Sequence, residues 1–127
     1  MRRKGASPPA AQPTPAMFHI LLAVADQERH GYGIMRDVAQ RSKGTVRLSP
    51  GTLYRSIKLL LDTGLIAESG ERPEPELDDE RRRYYRITEM GRHAAETEAR
   101  RLERLVRMAR DKRLLLPGTD GLAESGL

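Results

Sequence analysis

Ser49, Gly51, Thr52, Tyr54, Arg55 and Lys58 lie within one ten-residue stretch of a 127-residue chain, and their types suit a grip on nucleic acid. An arginine can pair bidentately with guanine O6 and N7, and a threonine can hydrogen-bond a base edge or meet a thymine methyl. Tyrosine and lysine reach phosphate oxygens, which positions a protein without reading sequence. Glycine permits close backbone approach, and a helix N-terminus favours phosphate. Catalytic chemistry finds no such concentration. The sequence has no cysteine, which excludes thiolate nucleophiles, disulfides and cysteine zinc sites. It shows no glycine-rich phosphate loop, no nucleophile triad and no His-Glu metal motif. His19, His30 and His93 have no second ligand at metal spacing, and the acidic run from Glu74 to Glu80 lacks the glycine of a calcium loop. No enzyme, cofactor or metal is expected.

A helix must present those six residues, and the flanking sequence specifies one. Ser49 is a good N-cap, Pro50 suits the first helical position, and Leu48 and Leu53 can form a hydrophobic staple. Gly64 suits the left-handed position past the C-terminus, with Leu65 packing back on Leu60. At about 100° per residue, Leu53, Ile57, Leu60 and Leu61 share the core face. Gly51, Arg55, Lys58, Leu59 and Asp62 share the opposite one, flanked by Thr52 and Tyr54. An ordinary solvated face would mix Glu with Lys and seldom hold Gly. This one suits a helix entering a DNA major groove by its N-terminus.

The remaining elements supply a core and a frame. Thr14 and Pro15 start a first helix running to about Gln27, apolar nearly all round through Met17, Phe18, Ile20, Leu21, Leu22 and Val24. Such a helix needs cover on more than one side, and a second subunit could provide it. His30 to Gly44 reads as a second helix with His30 setting its turn, and Thr45–Leu48 as a short β-prone run, enough for one small strand. Two strands follow, one beginning at Leu65 and one running from Arg81 to Thr88, joined by an acidic loop. Alternation puts Tyr85 and Ile87 on one side of the second and Arg82, Tyr84 and Arg86 on the other. Thr88 caps a last helix from Glu89 to Leu116, with Glu96–Arg100 and Glu103–Arg107 at favourable spacing. The expected fold class is mainly α with a small β-wing: a winged helix-turn-helix over 15–88 and a dimerisation helix over 89–116. A basic, proline-rich arm (1–14) and a tail (117–127) lack periodicity and read as flexible.

Charge agrees with a polyanionic partner. Lys and Arg number 23 against 18 acidic residues, a formal net charge of +5, and the arm opens on Arg2, Arg3 and Lys4. The start and the run Met17–Ala25 imitate a secretory leader, but the prolines between them and His19 within the run argue for a cytoplasmic protein. No stretch approaches the roughly 20 apolar residues of a membrane span.

Three motifs carry a resemblance: "HGYGI" (His30 to Ile34), "LSPGTLYRSIKLLLDTGLI" (Leu48 to Ile66) and "RRRYYRITEMG" (Arg81 to Gly91). In this order and spacing the chain resembles the PadR family of bacterial transcriptional regulators over roughly residues 15–115, in its small subgroup with one C-terminal helix. The resemblance implies a homodimer whose last helix packs on the first helix and on the partner, through Phe18, Leu22, Ala95, Ala99, Leu102, Val106 and Ala109. It implies a repressor on a pseudo-palindromic operator in double-stranded DNA, released by a small molecule or a stress signal. Recognition would fall to the six residues above, and wing contacts to Arg81, Arg82 and Arg83. Two features depart from the family pattern. The wing loop (Glu74, Glu76, Asp78, Asp79, Glu80) should repel phosphate, and the chain has no Trp and one Phe with which to sandwich an aromatic ligand. Two readings stay open beside this one. A non-specific architectural DNA binder would use the same basic surface, and a protein-interaction module would use the same fold.

Overall fold

The structure, a computed structural model, describes residues 12–69 and 83–116. Its elements follow the order α1 (Pro15–Ala23), β1 (Arg29–His30), α2 (Gly31–Arg41), α3 (Pro50–Asp62), β2 (Ile66–Glu68), β3 (Tyr84–Ile87) and α4 (Glu89–Asp111). The three strands form an antiparallel sheet in the order β1-β3-β2, with His30 opposite Tyr84 and Ile66 opposite Ile87. Helices α2 and α3 joined by a turn, followed by the β2–β3 wing, make a winged helix-turn-helix. The chain divides into two compact units, one extending through Glu96 and one beginning at Thr97.

The core of the first unit is apolar and closed. Ile20, Leu21, Ile34, Leu53, Leu60 and Ile66 are fully buried, with Val24, Val38, Ile57 and Tyr85 nearly so. Burying each large aliphatic side chain contributes about 1.5–3 kcal/mol, so the inner face of α3 is firmly held and its outer face is presented. An ion-pair cluster braces the elements behind it. The buried Asp37 carboxylate accepts from Arg41 Nε at 3.0 Å and lies 3.4 Å from an Arg29 guanidinium nitrogen. Arg29 Nε in turn donates to the Ala23 carbonyl at the end of α1, at 2.6 Å.

Several expectations need correction. Thr45–Leu48 is not a strand. Lys43 and Gly44 take left-handed φ angles of 54° and 83°, and the Ser42 hydroxyl accepts from Val46 N–H at 3.0 Å. The turn satisfies its own backbone, and the edge of β3 that a strand there could have used is taken by β1. Helix α1 stops at Ala23 rather than near Gln27, because Asp26 turns away to face Arg29 and Arg41. Helix α4 stops at Asp111, short of Leu116. Arg113 adopts a φ of 65°, and Leu114 N–H bonds back to the Ala109 carbonyl at 2.8 Å. The Glu96–Arg100 and Glu103–Arg107 pairs do not form among the described residues; Glu98 instead pairs with Arg101, at 2.7 Å. The arm up to residue 11, the tail, the acidic loop, Arg81 and Arg82 lie outside the described residues.

Candidate nucleic-acid interface

Helix α3 is built at both ends as its sequence dictates. The Ser49 hydroxyl accepts from Thr52 N–H at 3.2 Å, satisfying a donor that the first turn leaves free. Beyond the C-terminus Gly64 has a φ of 80°, Gly64 N–H bonds to Leu61 and Leu65 N–H to Leu60, at 3.1 and 2.9 Å. That paired closure ends the helix cleanly. Leu53, Ser56, Ile57 and Leu60 face inward, leaving Ser49, Gly51, Arg55, Lys58 and Leu59 exposed and Thr52 half-buried.

The exposed residues differ in what they already touch. A Cβ on Gly51 would meet nothing within 4 Å, so no packing contact requires glycine there. Arg55 has no carboxylate partner among the described residues. Lys58 pairs with Asp62 at 3.3 Å, with 76% of its side chain exposed. An exposed pair of this kind is worth about 0.3–0.5 kcal/mol and yields easily to another anion. Tyr54 sits apart from this group: it is half-buried, its ring end lies against Gly31 of α2, and it packs on the core. In the wing, Arg83 reaches Glu68 across the strands at 3.3 Å, and its Nε is buried without an acceptor. Arg83 is thus tied to β2.

Two further cations stand out that the sequence pattern did not single out. Arg47 is exposed in the connection between α2 and the Ser49 cap, and Arg86 is exposed on β3. For Arg86 a signal existed, since strand alternation places it opposite the buried Tyr85. His30 is a structural residue: its Nδ1 accepts from Gly33 N–H at 2.9 Å, capping α2, and its ring meets Tyr84 edge-on at 5.3 Å. Among the described residues no three acidic or histidine side chains gather as a metal site requires, and no helix is long and apolar enough to cross a membrane.

The residues assigned to a dimer interface are also spread over different surroundings. Leu22, Ala99 and Val106 are exposed, Phe18, Leu102 and Ala109 are half-buried, and Ala95 packs against the chain's own core. Leu105 and Met108 are exposed on α4 beside them in sequence.

A winged helix-turn-helix that offers a capped, partly cationic helix on its open side is the architecture of a DNA-binding transcription regulator. The comparisons with known proteins narrow this further. The sequence profile described as the transcriptional regulator PadR-like family matches residues 20–97. The transcriptional regulator Rv3488 of Mycobacterium tuberculosis is 36% identical over 90 residues, 71% of this chain and 78% of its own length. The fold is shared with a PadR family transcription regulator from Clostridium difficile (TM-score 0.61, 21% identity, covering 79% of this chain and 98% of that one). It is shared also with Bordetella bronchiseptica BpsR, whose structure addresses regulation of DNA binding by 6-hydroxynicotinic acid (TM-score 0.65, 21% identity, 92% and 77%). The chain belongs to the PadR family: it is a DNA-binding transcriptional regulator, from a family of regulators and not of enzymes.

Proposed function

We propose that this chain is a homodimeric repressor that lays α3 of each subunit into the major groove of a pseudo-palindromic operator in the cytoplasm. The observation that carries the reading is the outer face of α3. There Arg55 is exposed without an acidic partner among the described residues, beside a Gly51 that no packing contact requires. In this assignment Arg55 and Thr52 read base edges, Ser49, Gly51 and Lys58 set the helix against the backbone, and Tyr54 acts by holding α3 on α2. Arg81, Arg82 and Arg83 contribute at the wing, with Arg83 the weakest candidate because Glu68 already engages it.

Dimerisation through α4 and α1 is supported by the apolar side chains these helices leave exposed: Leu22, Leu105, Val106 and Met108. The segments fall into an arm over 1–14, a DNA-binding domain over 15–88, a dimerisation helix over 89–116 and a tail over 117–127. Release by a small molecule is supported by fold-level analogy with BpsR, whose ligand is an aromatic acid; that analogy does not name a ligand for this chain.

Selection of fragmented source-organism DNA on the purified protein at physiological salt, followed by sequencing, tests the reading. Enrichment of one inverted repeat, with half-site centres about one helical turn apart, is the expected result. Recovery of fragments in proportion to their abundance would replace it with the architectural role.

A further inference from the structure

Tyr32 and Arg36 occupy the outer side of α2, one turn apart, opposite the buried Ile34, Asp37 and Val38. Tyr32 is 58% exposed, an unusual placement for one of the chain's five aromatic residues (four Tyr and one Phe). The Arg36 guanidinium carbon stands 5.8 Å from the centre of its ring. Such a contact restrains a cation without neutralising it. The nearest acid in sequence, Asp37, is committed to Arg29 and Arg41, so among the described residues Arg36 has no carboxylate partner.

The position of this pair relative to α3 is fixed by one contact. The Tyr54 ring end lies so close to Gly31 that a Cβ there would stand 2.5 Å from its hydroxyl oxygen. Tyr54 precedes Arg55, and Gly31 precedes Tyr32. The first turn of α2 therefore adjoins the second turn of α3. A held guanidinium with no acid against it among the described residues, on a helix that adjoins the groove-facing one, matches a phosphate in charge and in bidentate geometry.

We propose that Tyr32 and Arg36 form a second seat for the DNA backbone, in which the tyrosine ring holds the guanidinium for a phosphate flanking the groove that α3 occupies. This rests on α3 being the groove helix. A phosphate contact carries no sequence information, so its loss must weaken all duplexes alike.

The test measures affinity across a salt series for the selected inverted repeat and for a mixed-sequence duplex, using wild type, Arg36→Gln, Arg36→Lys, Tyr32→Ala and Arg55→Ala. Circular dichroism confirms that each variant is folded. Arg36→Gln should weaken both duplexes by the same factor, roughly tenfold for one charge-assisted hydrogen bond, and lower the salt slope by about one. Arg36→Lys should restore the slope. Tyr32→Ala should weaken both duplexes with the slope intact, because the charge remains while its hold is lost. An unchanged slope in Arg36→Gln, or a loss confined to the inverted repeat, overturns the proposal. If Arg55→Ala weakens both duplexes by the same factor, base reading by Arg55 fails while the phosphate seat on α2 is left standing.

Discussion

Arg55 and Lys58 lie less than one helical turn apart on α3 and differ in what already holds them. Arg55 has no acidic partner among the described residues, so no ion pair within them competes with the proposed guanine contact. Arg55→Ala is expected to cost about 1–3 kcal/mol on the operator and to relax preference at one base position, read from binding to single-base operator variants. Equal losses on operator and random DNA would contradict base reading. Lys58 must leave Asp62, a weak exposed pair. Lys58→Ala should therefore weaken every duplex and flatten the salt slope by about one, whereas an unchanged slope would leave Lys58 as a surface residue. The candidate site was readable from the sequence as a set of residue types. Spacing alone put Gly51, Arg55 and Lys58 on one face. It did not reveal that Tyr54 turns back onto Gly31, because that depends on where α2 lies and on a glycine bare enough to receive the ring. Nor did it isolate Arg36, whose significance comes from Asp37 being occupied by two other arginines.

The elements were most legible where a local signal had no competitor. Thr14, Ser49 and Thr88 each cap the helix they precede, and Gly64 closes α3 with the two bonds its position implies. The misplaced strand shows the opposite case. Thr45–Leu48 has strand-forming residues, but β3 had one free edge and Arg29–His30 filled it; pairing is a tertiary matter that local propensity does not see. The end of α4 was missed for a related reason, since Arg113 takes the left-handed conformation usually given to glycine. At the start of α4 glycine is indispensable. Thr88 Oγ1 donates toward the Gly64 carbonyl at 2.6 Å and accepts from Gly91 N–H at 3.0 Å, drawing the first turn onto the α3–β2 corner. A Cβ on Gly91 would collide with the Leu65 carbonyl, which is backbone and has little room to yield. Gly91→Ala should destabilise the protein by about 3 kcal/mol, at the upper end of overpacking costs, measured by urea unfolding. A loss below about 1 kcal/mol would show that the helix can shift instead.

At the scale of the whole molecule, acid stability and assembly can be tested separately. Arg101 holds the Glu98 carboxyl below the usual carboxylate range, first through the hydrogen bonds it donates at 3.0 and 2.7 Å and then through its charge, while burial opposes both. A carboxyl depressed on folding stabilises the native state above its unfolded pKa and loses that contribution as pH falls through the folded value. Wild type should therefore exceed Glu98→Gln in stability at neutral pH, and the gap should close in acid below the ordinary carboxylate range; a gap independent of pH would refute the linkage. The proposed assembly rests instead on the apolar residues α4 leaves exposed. Leu105, Val106 and Met108 keep more than a third of their surface open, a poor arrangement for a lone helix and a suitable one for a helix meeting its copy. Leu105→Glu with Met108→Glu should leave the fold around α3 unchanged and convert the proposed dimer to monomer in analytical ultracentrifugation. Two groove helices held in one particle gain about 10²–10⁴ in affinity over either alone. The double variant should lose a factor of that order on a full inverted repeat while binding an isolated half-site as wild type does. A variant that stays dimeric would move the interface elsewhere, and a monomer that keeps full affinity would show that each subunit reads its half-site unaided.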